Sequence, residues 1–131
     1  MTDTLLFLHL LAAASLFAAI VAFTAVVLGA RLELGTVRTF LALWHIGLVG
    51  VFIFGIALAF DIDGYDIFDG WVLIAIALWL VAGWSGDKVP LAYRDAGAGA
   101  ATIPAGVARI HWIHVAVVLL LLADMIGKPW A

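Results

Sequence analysis

Cysteine is absent from this chain of 131 residues. That excludes a disulfide framework, a thiolate metal site and an iron–sulfur cluster, and it leaves the redox compartment unread. Charge is nearly as scarce: only 11% of residues are charged, against roughly a quarter in soluble domains. The formal charge of −3 offers no basic field for nucleic acid, so no such partner is expected. Thioether is confined to Met1 and Met125, a poor donor set for Cu(I). Phosphate-binding loops, nucleophile triads and HExxH motifs are all missing. No catalytic residue is therefore assigned, and whether the chain is an enzyme is left open.

What the chain does have is apolar surface. Hydrophobic residues make up 67% of it, with a mean hydropathy of +1.25, a composition that requires an integral membrane protein. Four apolar runs occupy residues 5–29, 40–60, 67–84 and 106–126. Strand-like alternation is missing, and helices satisfy their backbone polar groups internally, so the expected fold is an all-α bundle. It forms a single four-span domain over residues 1–131. The first run follows Asp3 and no Lys or Arg, and it is too long for a signal-peptide core. It reads as an uncleaved span.

Orientation follows from where the few charges sit. Arg31 and Arg38 flank the first connection, Lys88 and Arg94 lie in the third, and Arg109 begins the fourth span. Asp3, Asp61, Asp63, Asp66 and Asp69 face the other side with Lys128. The excess of Lys and Arg predicts that the first and third connections are cytoplasmic and both termini are not. The third connection, with its Gly- and Ala-rich stretch before Pro104, is expected to be a solvated linker or a segment that re-enters the bundle end.

Alternating topology brings His45, His111 and His114 to one depth on the basic side. His111 and His114 are three residues apart and share a helix face. Imidazole suits haem iron and also Zn, Cu or Ni. The leading expectation is one haem b between spans two and four, with His45 as one axial ligand and His111 or His114 as the other. Arg38 and Arg109 are placed to meet its propionates. A transition metal held by His45 and His111 is the alternative, as is no cofactor, with these histidines bonded to interfacial water or loop carbonyls.

On the acidic side His9 and Asp124 fall at similar depth, a second polar pair within apolar runs. Small residues of span one, among them Ala12, Ala19 and Ala22, permit close helix approach. Gly47, Gly50 and Gly55 in span two serve helix contact or leave a slot beside His45. The six tryptophans read as interfacial anchors. The acidic run 61–70 lacks the spacing and closing Glu of an EF-hand, and reads as a solvated loop or a docking surface.

The segments Leu5-Leu-Phe-Leu-His9-Leu-Leu-Ala-Ala, Asp69-Gly-Trp71-Val-Leu-Ile-Ala-Ile-Ala-Leu-Trp79 and Lys128-Pro129-Trp130 give the chain a family likeness. It resembles a group of small bacterial four-helix membrane proteins that includes the copper-resistance D family and membrane-bound protoporphyrinogen oxidases. The resemblance implies a bacterial inner-membrane location, a functional early histidine at His9, and haem through the oxidase branch. Ala13 to Phe17 stand where that group usually carries a tryptophan and glycines.

Three functional expectations result. The first is a small b-type cytochrome or a haem-binding subunit of a redox complex. The second is a cofactor-free accessory or assembly subunit packed on a larger membrane complex or on its own copies. The third is a metal or proton transport component using His9 and Asp124.

Overall fold

The computed structural model describes residues 2–61, 68–96 and 103–127. Among the described residues every regular element is a helix: α1 (Thr2–Val27), α2 (Leu34–Asp61), α3 (Gly70–Ser85), α4 (Lys88–Ala96) and α5 (Ala105–Gly127). Four stretches are long and apolar enough to cross a membrane: α1, α2, α5, and α3 continued through α4 to Asp95. Asp63, Asp66, the stretch 97–102 and Lys128-Pro129-Trp130 lie outside the described residues.

The turn after α1 is written in its hydrogen bonds. The Gly29 amide donates to the Val26 carbonyl at 3.0 Å, and the Ala30 amide reaches back to Ala25 at 2.9 Å. This is the Schellman arrangement, which needs a left-handed residue between those bonds. Gly29 supplies it with φ 104°. The chain then reverses, and α2 begins six residues earlier than the apolar run predicted, carrying Arg38 inside the helix.

Antiparallel neighbours α1 and α2 form the tightest pair, and α3 packs along α5. Lighter contacts of α2 with α3 and of α1 with α5 close a ring in chain order. Spans two and four thus stand on a diagonal. The α1–α2 seam is close because α2 presents glycine: a Cβ on Gly47 would lie 2.7 Å from the Ala12 carbonyl oxygen and 2.9 Å from the Leu16 nitrogen. Leu16, Ala19, Ala22, Phe23 and Val26 of α1 then join Val37 and Trp44 of α2 in the main core. Such close backbone approach and its dispersion contacts hold the pair.

α4 is an amphipathic cap over the basic end. Pro90 is tolerated because it sits in the first turn, where its missing amide costs no helical bond. Val89, Pro90 and Tyr93 are buried while Arg94 and Asp95 are exposed. The Tyr93 hydroxyl accepts from the Leu32 amide at 3.0 Å and donates to the Leu32 carbonyl, pinning α4 to the first connection. Part of the third connection is therefore a packed helix rather than a linker. Its short length and high polarity hid it from hydropathy.

Tryptophan also departs from the expected belt. Trp84 and Trp112 are exposed near span ends, but Trp44 and Trp71 are buried, and Trp79 donates its indole N–H to the Leu48 carbonyl at 2.8 Å. Three of the five described tryptophans are therefore buried or bonded inside the bundle rather than set at its ends.

Candidate functional site

Two polar regions lie within the bundle, one toward each end. Toward the basic end, His111 and His114 are buried at 2% and 1% exposure. Their three-residue spacing puts both on the inner face of α5, with ring centroids 6.3 Å apart. His111 Nε2 meets the Thr24 hydroxyl of α1 at 2.8 Å. His114 Nδ1 meets the Ser85 hydroxyl of α3 at 3.0 Å, and that hydroxyl donates to the Val81 carbonyl at 2.9 Å. Because serine has one hydrogen, spending it on Val81 makes His114 Nδ1 the donor and Nε2 the bare nitrogen. That Nε2 has no partner.

Trp44 closes this region from α2. Its ring centroid is 6.3 Å from that of His114, and its indole nitrogen is likewise buried without a partner. The indole fits because Gly86 has no side chain; any Cβ there would overlap the ring. Sequence reading missed Thr24, Ser85 and Trp44. Hydroxyls in apolar spans were the available signal.

His45 is not part of this cluster. It follows Trp44 by one residue, about 100° around the helix, and since Trp44 points inward His45 is exposed. Its Nδ1 bonds the Leu41 carbonyl of its own helix at 2.9 Å. The structure therefore does not bring His45 opposite His111 or His114, and spans two and four have no extended packing among the described residues. Arg38 shares the outward face of His45, and Arg109 is exposed as well. Trp44 packs edge-on to the His114 ring, and His111 and His114 each already meet a hydroxyl, so this packing lends no support to a haem clamped there. No group of three His, Cys, Asp or Glu side chains able to hold a metal ion occurs among the described residues.

Toward the acidic end the packing opens. A cavity of about 300 Å³ is lined by α1, α2, α3 and α5, and a smaller chamber of about 80 Å³ adjoins it. Both share His9, Gly55, Trp71 and Met125 in their walls. The slot opened by Gly55 belongs to His9 rather than His45: a Cβ on Gly55 would stand 3.2 Å from His9 Cε1. His9 Nδ1 is buried with no hydrogen-bond partner. Leu6, Leu10 and Leu122 line the larger chamber and are exposed, so its mouth opens sideways between α1 and α5.

Asp124 is half-buried, and its Oδ2 also lacks a partner. His9 and Asp124 are thus not joined to each other, and Asp124 lines neither chamber. Its neighbour Met125 does, a placement that spacing alone assigned to no site. Chemically, the acidic-end cavity is a mostly apolar, laterally open pocket with one unspent imidazole nitrogen and one thioether. Comparisons of the chain with protein-family models, with curated proteins and with solved structures found no match.

Proposed function

We propose that this chain is a four-span protein of a cytoplasmic membrane that holds one lipophilic ligand in the cavity beside His9. The observation that carries the reading is the buried, unpartnered His9 Nδ1 in the wall of an apolar cavity. Ligand pockets have this character, a largely apolar lining with a few placed polar groups. An unsatisfied polar atom in hydrocarbon costs free energy that a bound partner recovers. A sideways mouth admits molecules already dissolved in the bilayer.

The test is what accompanies the protein. Purified in mild detergent and extracted with organic solvent, it is expected to release about one equivalent of a single lipophilic species. Gly55→Leu, which fills the space beside the His9 ring, should release far less. Equal recovery from the variant, or only the bulk lipid mixture from both, would overturn the reading and favour an accessory subunit without a ligand.

Haem is the second reading, favoured by Met125 lining the same cavity as His9. Imidazole and thioether together are an established axial pair, and haem when bound supplies one-electron chemistry. His9 and Met125 would hold it, and the apolar walls would exclude water. A Soret band in the wild type that is lost in His9→Ala and altered in Met125→Ala is the outcome expected of this reading.

The orientation proposed is basic end inward, by the distribution of Lys and Arg. A reporter fused after Ala131 should be external and one inserted near Gly97 cytoplasmic. Reversed locations would put the cavity in the cytoplasmic leaflet.

A further inference from the structure

We infer that the lipophilic ligand is a quinone-class molecule, a flat oxygen-bearing ring on a branched hydrocarbon tail. The inference rests on the cavity reading above and goes further by naming what the two chambers select.

The chambers differ in their walls. The smaller one has Phe52, Trp71 and Trp79 about it, three aromatic faces from α2 and α3. Trp79 is fixed by its indole bond to Leu48, and its ring lies 4.5 Å from that of Phe52 at a 33° tilt. Aromatic walls held in place suit a planar ring, which gains offset stacking that a flexible acyl chain does not. The larger chamber is aliphatic toward its mouth, with Leu6, Leu10 and Leu122. His9 stands in the wall of both, where ring and tail would meet.

The polar atom narrows the class. An imidazole nitrogen accepts in one tautomer and donates in the other. Nδ1 accepts from a quinol hydroxyl while the ring's other nitrogen keeps its N–H on the Val51 carbonyl, and it meets a quinone carbonyl in the opposite tautomer. A pure hydrocarbon gives Nδ1 no hydrogen-bond partner, and a diacyl lipid places no ring against Phe52 and Trp79.

The experiment uses the full chain in phosphatidylcholine nanodiscs, with a decyl-tailed benzoquinone, its hydroquinone and decylbenzene as probes. Binding above empty discs is measured by equilibrium dialysis. Quinone and hydroquinone should each saturate near one per protein, and decylbenzene should not saturate. His9→Leu should weaken both oxygenated probes by about tenfold, the loss of one buried hydrogen bond. Gly55→Ala, whose Cβ presses on the His9 ring, should weaken them as well and serves if His9→Leu does not fold. Decylbenzene binding as tightly as the quinone, or His9→Leu without effect, would overturn the quinone assignment and leave a general lipophilic site. A Soret band from bound haem would overturn it too, with the cavity intact. Saturation by none of the probes, together with no co-purifying ligand, would remove both readings.

Discussion

Gly47→Val should separate α1 from α2 and lower the unfolding temperature of the detergent-solubilised protein by more than the same replacement at Gly35, Gly55 or Gly83. A Cβ at Gly47 meets backbone, the Ala12 oxygen at 2.7 Å and the Leu16 nitrogen at 2.9 Å. Backbone atoms of a packed helix cannot rotate aside as a side-chain tip can. Overpacking of this kind costs about 1 to 3 kcal/mol in well-packed cores, and valine adds two methyl groups beyond the Cβ. The seam it opens holds most of the main core, so the loss should reach Phe23 and Trp44 as well. Gly35→Ala is the control, because nothing lies within 4 Å of a Cβ there. Alanine is the better helix former, so that variant should be neutral or slightly more stable. A Gly47→Val protein that melts with the wild type would mean that α1 and α2 do not pack through this glycine.

Much of the fold was legible because hydropathy and helix length are properties of composition. Four apolar runs in so short a chain leave few alternatives to helices, and the connections set antiparallel neighbours. Rotation of each helix about its axis is a different kind of information. His45 and Trp44 differ by one residue, yet one is exposed and the other buried. In a span that is apolar all round there is no polar face from which to read which residue turns inward. The same ambiguity hid the partners of the buried histidines. Thr24 and Ser85 are 87 and 29 residues away from His111 and His114, and only the ring of helices brings them together. Gly55 had the right role, a slot for an imidazole, but the imidazole came from the neighbouring span.

The two polar regions suit different tasks. The one at the basic end is filled: Trp44 occupies the room Gly86 leaves, and each histidine already has a hydroxyl partner on another helix. The acidic-end region has space and an imidazole nitrogen without a partner. The cavity beside His9 is the site we propose for binding, and the pairs on His111 and His114 tie α5 to α1 and α3.

That division makes a definite prediction for Ser85 and His114. Ser85→Ala removes the hydroxyl from His114 Nδ1 while the imidazole stays 1% exposed. Nε2 has no partner already, so the ring is left with the Ala82 backbone carbonyl in place of its hydroxyl bond. A buried polar group so poorly satisfied costs up to about 1 to 3 kcal/mol, whereas hydrogen bonds between membrane helices contribute on average only about 0.6 kcal/mol. The single variant should therefore lose more stability than the bond itself supplies. His114→Leu should cost less than Ser85→Ala, because the serine keeps its bond to Val81 and the leucine fills much of the space. In the double variant Ser85→Ala/His114→Leu no imidazole remains at this position, so most of the loss should return, with a coupling within the range of about 0.5 to 3 kcal/mol seen for contacting residues. Unfolding of the four proteins, measured reversibly in the same detergent, gives that coupling directly. Ligand recovery from the acidic-end cavity should match wild type in the double variant. Additive losses would show that Ser85 and His114 are not energetically paired, and a double variant that is stable but carries no ligand would assign His114 to the function rather than to the fold.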